Sequence, residues 1–391
     1  MKYLLLLFLL LSFAGSAQQY LRLHKKSFVA DTHNDIPTAS IEKNVAFDAN
    51  LTGITHSDLN RMFTGGVDAQ MFSIFCDGEQ KNPYLHAHRE IDSVYEWVRR
   101  NPQRMVLVQN PQQLHDARRS RKLAALLGVE GGHMIENEIA KLDTLFKRGV
   151  RYMTITWNNS TSWATSAADE TTAGGAVNAD GNKGLTAFGK QVIRRMNELG
   201  MMVDISHVGE QTFRDILQVS TKPVIASHSC VWNLCPHRRN LKDDQIKAIA
   251  QSGGVIFLNF YAGFLDSSYE QKRNTFLKQH QEEIDDLIRQ GKQKDYAVMM
   301  VGDKYKNELN ALRPPLSVLL DHLDYIVKLV GVDYVGLGSD FDGIEAPPLE
   351  LNGVENMPLL TKALLERGYS KKEIQKILGG NFIRVFTATM K

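Results

Sequence analysis

The chain has 391 residues, of which 43% are hydrophobic and 23% are charged, a composition that is ordinary for a folded globular protein. This apolar content excludes intrinsic disorder for the bulk of the chain, because enough surface can be buried to offset the entropy cost of ordering. The 46 Lys and Arg residues nearly balance the 44 Asp and Glu residues, so no basic excess indicates a nucleic-acid partner and no acidic excess indicates a solvating tail.

The first 17 residues have the pattern of a secretory signal peptide. Lys2 precedes an apolar run over 4–14, and the small residues Gly15, Ser16 and Ala17 follow this run. The run is too short to span a bilayer comfortably, and no later stretch reaches that length. We therefore expect cleavage after Ala17 and an exported protein, periplasmic or secreted, without a transmembrane span; an uncleaved anchor or an ordinary first helix is the alternative.

Eight short apolar runs rich in β-branched residues recur along the rest of the chain. They alternate with helical patterns, such as Ala187–Leu199 and Leu316–Leu329, which close on a glycine. This alternation predicts an α/β fold, a single (β/α)8 TIM-like barrel over 18–391. An open doubly wound sheet is the alternative, although no glycine-rich dinucleotide fingerprint follows the first strand. The predicted strands are Phe28–Ala30, Gly66–Phe75, Leu123–Val129, Tyr152–Thr156, Met201–Ile205, Pro223–Ala226, Val255–Phe260 and Tyr334–Leu337.

The segment from about 261 to 313 interrupts this regular spacing. It is rich in Lys, Gln, Asp and Glu, and Gln279–Arg289 has a helical pattern. We expect a helical insertion between the seventh and eighth strands, which is either a lid over the site or a surface feature without a catalytic role.

Residues that can bind metal ions follow several of the predicted strands. In a barrel the carboxyl ends of all strands open onto one face, where active sites are built. His33 and Asp35 stand two apart at an extended strand end, so they point the same way, and imidazole with carboxylate suits Zn²⁺ or a similar divalent ion. Each residue alone has a structural explanation, but the whole set at one rim favours a metal site. The candidate ligands are His33, Asp35, Glu130, His207 and His228.

Three residues at the same rim are candidates for catalysis and substrate binding. Glu130 follows an apolar strand, and a carboxylate there can bridge two cations about 3.5–4 Å apart. Asp340 follows the last strand and can serve as a base or a substrate anchor, with Asp342 as a competitor for that role. Arg239 suits a substrate carboxylate through bidentate bonds, although a surface basic pair with Arg238 is the simpler explanation of the local pattern.

Five motifs occur in order along most of the chain. Together they resemble the membrane (renal) dipeptidase family of zinc peptidases, family M19, up to the Gly-Gly-Asn-Phe sequence at 379–382. Any one motif is weak evidence, but five in order are highly specific. They are Asp-Thr-His-Asn-Asp-Ile-Pro from Asp31, Gly-Val-Glu-Gly-Gly-His from Gly128, Asp-Ile-Ser-His-Val from Asp204, Ala-Ser-His-Ser from Ala226 with Arg-Arg-Asn downstream, and Gly-Leu-Gly-Ser-Asp-Phe-Asp-Gly from Gly336.

The resemblance implies a distorted TIM barrel that holds two zinc ions. His33, Asp35 and Glu130 would bind one ion. Glu130, His207 and His228 would bind the other, with Glu130 as the bridge between them.

The resemblance also implies roles in catalysis. Arg239 would bind the carboxylate of a dipeptide, and Asp340 would lie beside the bridging water and the substrate amine. Members of the family are often homodimers, and the mammalian members carry a lipid anchor that this C-terminus does not support.

The fourth strand is followed by a departure from the family pattern. Better-known members carry a histidine that touches the substrate, where this chain has Trp157. An indole has one donor and no acceptor, and it takes up no proton. Either Asn158 or Asn159 replaces the contact, or the substrate range differs.

The predicted function is that of a zinc-dependent dipeptidase that cleaves the peptide bond through a metal-bridged hydroxide, with Glu130 and Asp340 as catalytic residues. Two alternatives stay open, since fold and metals do not choose the substrate. One is another binuclear metal hydrolase, acting on a lactam, an N-acyl amino acid or a phosphoester. The other is a metal-bearing binding protein without turnover.

The three cysteines are too few for a disulfide framework. Cys230 and Cys235 stand close together, and their spacing around Trp232 has no metal signature. We expect free thiols, with a bridge between these two as the alternative in an exported protein.

Overall fold

A computed structural model describes residues 19–172, 175, 177–291 and 294–390. The predicted signal peptide over 1–17 lies outside these residues. Among the helices in the described ranges, none combines the length and the apolar character that crossing a membrane requires.

Nine parallel strands form one sheet within the described ranges, and eight of them make the predicted barrel. The strands are β1 (Ala30–Asn34), β2 (Ala69–Phe75), β3 (Met105–Leu107), β4 (Leu123–Glu130), β5 (Val150–Thr154), β6 (Met202–Asp204), β7 (Val224–Ala226), β8 (Val255–Leu258) and β9 (Val335–Leu337). Neighbours around the barrel follow the order β1-β2-β4-β5-β6-β7-β8-β9.

Backbone hydrogen bonds join the two ends of this strand order. The amide of Asp340 donates to the carbonyl of His33 at 3.1 Å, and the amide of Asp35 donates to the carbonyl of Phe341 at 2.9 Å. These bonds connect β1 to the residues that follow β9. The nearly closed barrel confirms the predicted fold class and rules out the open sheet.

The observed strand bounds shift by a few residues from the predicted ones, and two differences stand out. The first strand is predicted over Phe28–Ala30, but β1 covers Ala30–Asn34, so His33 lies inside the strand rather than after it. No strand is predicted at β3, which pairs with the start of β4. Its sequence Met-Val-Leu is a short apolar run that does not by itself distinguish a strand from a helix, and tertiary pairing decides whether such a segment is extended.

Helices cover the outside of the barrel, and the strands are buried on both faces. All eight residues of β4 are buried, which explains its continuous apolar sequence. On the C-terminal helix, Phe382 and Phe386 pack in one cluster with strand residues that include Leu126 and Phe257.

Local sequence signals set the helix ends. The helix Ala187–Leu199 has the predicted bounds: the Thr186 side chain accepts a hydrogen bond from the amide of Gly189, and the helix ends at Gly200, whose φ is +74°. The described α-helices are 19–26, Ile36–Glu42, Leu59–Thr64, Pro83–Arg100, Pro111–Arg119, Ile139–Lys147, Ala167–Glu170, Ala187–Leu199, Glu210–Val219, Asp243–Gln251, Ala262–Leu265, Ser267–Gln279, Gln281–Arg289, Lys294–Lys304, Lys306–Leu312, Leu316–Val330, Pro358–Glu366, Lys371–Gln375 and Asn381–Met390. Short 3₁₀ or π segments are Gly132–Ile135, Val332–Tyr334, Val354–Asn356 and Lys376–Gly380.

The described part of the segment between β8 and β9 is helical, as the spacing predicts. Its five helices run from Ala262–Leu265 to Lys306–Leu312. They enclose a small apolar cluster that includes Phe276 and Ile284, separate from the main core. Whether this insertion acts as a lid stays a prediction.

Candidate metal centre

The five predicted ligand side chains meet at the carboxyl ends of the strands. His33 lies in β1 and Asp35 just after it, Glu130 is the last residue of β4, and His207 and His228 follow β6 and β7. All five are buried, with at most 8% of each residue exposed. The barrel therefore brings together residues that are far apart in the chain.

Glu130 lies at the centre of this cluster. Its Oε2 atom is 3.2 Å from Nε2 of His33. Its Oε1 atom is 2.8 Å from Nε2 of His207 and 3.4 Å from Nε2 of His228. The two carboxylate oxygens thus face different imidazoles, which is the arrangement that a bridging ligand requires.

On one side of Glu130 lie His33, Asp35 and Asp340, which we call the carboxylate half. Nε2 of His33 is 3.4 Å from Oδ2 of Asp35 and 3.9 Å from Oδ1 of Asp340. Within the described residues, Nε2 of His33 and Oδ1 of Asp35 are buried and form no hydrogen bond. Such orphaned polar atoms are costly in a protein interior, and a divalent cation between them would satisfy both.

On the other side lie His207 and His228, which we call the imidazole half. Their Nε2 atoms are 3.0 Å apart, and both face Oε1 of Glu130. Nδ1 of His207 lies 3.2 Å from Oδ1 of Asn158, and Nδ1 of His228 lies 2.8 Å from Oγ of Ser227. Partners on Nδ1 leave both Nε2 atoms to face a shared metal position.

The electrostatics of the imidazole half favour neutral rings. Burial lowers the pKa of His207 to about 3, and the positive charge of Arg239 acts in the same direction. Burial and the charge of His33 hold the pKa of His228 well below its usual range. Neutral imidazole is the form that binds a metal ion.

The carboxylate half instead retains positive charge. Burial disfavours protonated His33, but Tyr152, Asp35 and Glu130 outweigh it and raise the pKa of His33 well above its usual range. Burial and the two neighbouring carboxylates raise the pKa of Asp340 well above its usual range. Protons on His33 and Asp340 thus compensate the negative charge of the carboxylates here. A divalent cation could replace these protons.

The backbone and one neighbour orient Asp340. Its φ is +61°, in the left-handed region that non-glycine residues seldom occupy. Nδ2 of Asn259 donates to Oδ2 of Asp340 at 2.7 Å, so the other oxygen is left to face the cluster. Asp342, the competitor, accepts the amide of His56 and the hydroxyl of Ser57, each at 2.5 Å, and so holds a neighbouring loop.

Asn259 is a residue of the site that was not predicted from the sequence. It follows β8 directly and is fully buried. A signal was present, because a polar residue at the end of an apolar run is the same pattern that identified the other site residues. The predicted strand Val255–Phe260 included position 259, so Asn259 was not recognised as a residue at a strand end.

Arg239 is not part of a surface basic pair. It is 5% exposed, whereas Arg238 is exposed to solvent. Its guanidinium lies over the ring of Phe264 at 5.4 Å, and Nη2 donates to the carbonyl of His228 at 3.2 Å. Within the described residues its Nε atom is buried without a partner, and Arg239 and His207 line a cavity of about 250 Å³. The wall of this cavity therefore includes a guanidinium that could bind an anionic group.

Trp157, in the segment after β5, packs beside the imidazole half. The ring of Trp157 lies 6.3 Å from that of His207 and meets Phe75 edge-on at 4.9 Å. Asn158 reaches His207, whereas the Asn159 side chain packs on Gly78. Of the two asparagines, the structure places only Asn158 at the cluster.

All three cysteines are buried and free, as expected. The thiol of Cys230 lies 3.2 Å from the carbonyl oxygen of Asn259, and that of Cys235 lies 3.5 Å from the carbonyl oxygen of Gly263. They therefore pack as structural residues beside the loop that carries Arg239.

The model of one protein family, membrane dipeptidase (peptidase family M19), matches residues 17–391. The chain belongs to the membrane dipeptidase family. The resemblance that the five motifs indicated is thereby confirmed.

Two mammalian relatives of this family member are called dipeptidase 3. The protein from Mus musculus is 31% identical over 375 residues, which cover 94% of this chain and 66% of the relative. The protein from Homo sapiens is 30% identical over 388 residues, which cover 97% of this chain and 68% of the relative. The chain thus spans about two thirds of the length of these relatives.

Solved structures share the fold of this family member. The probable dipeptidase PvdM from Pseudomonas aeruginosa superposes with a TM-score of 0.79 at 22% identity, over 96% of this chain and 99% of its own. A metallo peptidase from Rhodobacter sphaeroides, solved with a phosphinate mimic of the dipeptide L-Ala-D-Ala, gives a TM-score of 0.75 at 21% identity, over 93% and 100%. Both support the barrel described above.

Proposed function

We propose that the protein is a dipeptidase that uses two divalent cations, zinc ions, at the strand ends. The observation that carries the proposal is the position of Glu130, whose two oxygens face different imidazoles. His33, Asp35 and Glu130 would hold one ion, and Glu130, His207 and His228 would hold the other. Divalent cations here would supply Lewis acidity, which polarises a carbonyl and makes water acidic enough to attack it near neutral pH.

Asp340 is proposed as the catalytic acid–base group. Its Oδ2 atom is held by Asn259, and its Oδ1 atom faces His33 at 3.9 Å. A carboxylate fixed in this way can accept the proton of an attacking water and pass it to the leaving amine. The same carboxylate can hold the free amine of the substrate, as the family resemblance implies.

Arg239 is proposed to bind the carboxylate of the second residue. Its unpartnered Nε atom, within the described residues, and its place on the wall of the cavity support this role. A buried guanidinium is a strong ligand for a carboxylate. Because Arg239 donates to the backbone carbonyl of His228, a proposed ligand, this contact would restrict the substrate to two residues. The amide nitrogen of Asn158 is a further proposed substrate contact, since its oxygen faces His207.

Export, domain organisation and assembly are also proposals. The signal-peptide pattern over 1–17 supports export to the periplasm or outside the cell. Residues 18–391 would then form one catalytic domain with a helical insertion at about 261–313. A homodimer is supported by the family resemblance.

The test is hydrolysis of a dipeptide panel by the purified protein, before and after metal removal and after zinc is returned. We expect turnover to disappear on full chelation and to recover with about two zinc ions per chain. Turnover that survives complete metal removal would contradict the proposal.

Trp157 favours a second candidate, an amide hydrolase with a different substrate, because a histidine is absent from this position. Lactams and N-acyl amino acids belong in the same panel for that reason. Turnover of one of these without dipeptide cleavage would select the second candidate, and two bound metals without any turnover would indicate a binding protein.

A further inference from the structure

The loop after β5 contacts His207 at three points. Oδ1 of Asn158 lies 3.2 Å from Nδ1 of the ring. The hydroxyl of Thr156 donates to the His207 carbonyl at 3.2 Å, and the amide of Ala167 donates to the same carbonyl at 2.8 Å. His207 itself has a φ of +66°, a strained conformation for a histidine. The loop thus holds both the backbone and the ring of this residue.

The distal nitrogens of the other two histidines have partners from the barrel itself. Nδ1 of His33 lies 2.8 Å from the hydroxyl of Tyr152, which is in β5. Nδ1 of His228 lies 2.8 Å from Oγ of Ser227, which follows β7 directly. Both partners are fully buried. Only for His207 does the partner come from a partly exposed loop residue.

The proton on the His207 ring has two competing positions. If Nδ1 carries it, the ring donates to Asn158 and the Nε2 lone pair faces Glu130 and His228. If Nε2 carries it, the ring donates to Oε1 of Glu130, which is only 2.8 Å away, and this hydrogen bond occupies the atom that a cation needs. An acceptor at Nδ1 therefore decides which form is preferred.

We propose that Asn158 is a positioning residue for His207, and that its amide oxygen keeps Nε2 of this ring available to a cation. The inference rests on the metal centre of the proposed function. It gives Asn158 a task besides the substrate contact proposed above. Loss of a partner of this kind weakens metal binding by about 10- to 100-fold.

The test is a titration of the metal-free full-length protein with Co²⁺, followed by visible absorption and by metal analysis after dialysis. In Asn158→Ala and Asn158→Leu, we expect one of the two ions to bind about 10- to 100-fold more weakly, with a changed cobalt spectrum. Leucine is similar in size to asparagine, so Asn158→Leu removes the acceptor but keeps the side-chain volume. Comparing it with Asn158→Ala separates the effect of the lost acceptor from the effect of the lost volume. Asn158→Asp retains an acceptor oxygen and is expected to bind both ions as the wild type does.

Asn159→Ala is the matched control, because it removes the neighbouring amide that does not reach His207. It is expected to give the wild-type titration. Wild-type affinity in either folded variant, Asn158→Ala or Asn158→Leu, would overturn the proposal. So would equal weakening in Asn158→Asp, because the acceptor would then not be the cause.

The titration is independent of turnover. Wild-type protein that binds two cobalt ions but cleaves no dipeptide would reject the proposed activity, and the variants would still decide the role of Asn158. Wild-type protein that binds no cobalt would overturn both proposals.

Discussion

The two halves of the candidate metal centre share Glu130 but favour opposite charge states. The carboxylate half raises the pKa of His33 well above its usual range, whereas burial lowers that of His207 to about 3. A cation would therefore replace protons in the first half and complete a set of neutral donors in the second. Both halves share one carboxylate, so we expect the loss of Glu130 to have the largest effect.

The largest effect is expected for Glu130→Gln, which removes the shared ligand. Loss of both ions would forfeit several kcal/mol of transition-state stabilisation, so kcat/KM for a dipeptide should fall by about 1,000-fold or more. Metal content and kcat/KM are measured on the same preparation. Glu138→Gln is the control, since its side chain is 57% exposed; a Glu130→Gln protein that keeps two ions would show that the halves are independent.

Asp340→Asn tests the carboxylate half alone. It removes the proposed acid–base group and leaves the five proposed ligands in place, so kcat should fall by about 100- to 10,000-fold. The number of bound zinc ions should stay at about two. Asp342→Asn is the matched control. Because Asp342 holds a neighbouring loop, this change should lower the melting temperature with little effect on kcat. Equal kcat losses in both variants would contradict the distinction between the two aspartates.

Arg239→Met tests substrate binding beside the imidazole half. Hydrogen bonds to charged groups contribute about 1.5–3 kcal/mol, so KM for a dipeptide should rise by about 10- to 100-fold. The same change should matter little for a dipeptide amide, which lacks the carboxylate, and Arg238→Met serves as the exposed control. An equal effect on both substrates would mean that Arg239 supports the fold rather than the substrate.

The smallest effect is expected where the insertion contacts the rim. Nε of Arg273 lies 2.8 Å from Oε1 of Glu345, and these side chains are 23% and 45% exposed. Glu345→Gln should lower the free energy of unfolding by less than about 1 kcal/mol, as exposed ion pairs do. Metal content and kcat should not change if the insertion is a surface feature. A clear loss of kcat at unchanged stability would indicate a lid.

The convergence of the five candidate ligands was predictable, because strand ends are visible in a single sequence. His207 and His228 each close an apolar run, and the barrel order places β6 beside β7, so their convergence follows from topology. Glu130 is predictable for the same reason. The arrangement depends on where strands end rather than on side-chain detail.

The contacts that orient the ligands were not predictable in this way. The bond between Asn158 and His207 spans 49 positions and depends on a left-handed backbone at His207. Asp340 and Asp342 lie in one turn and both have positive φ. The geometry of this turn decides which of the two faces the cluster. Such choices are made by tertiary contacts, which leave no period in the sequence.

The most direct test of the central claim is the position of the metal ions in crystals of the zinc-loaded protein. Anomalous difference maps from data collected on both sides of the zinc absorption edge locate zinc specifically. We expect two peaks that flank Glu130, one against His33 and Asp35 and the other against His207 and His228. A single peak, or peaks away from Glu130, would contradict the account.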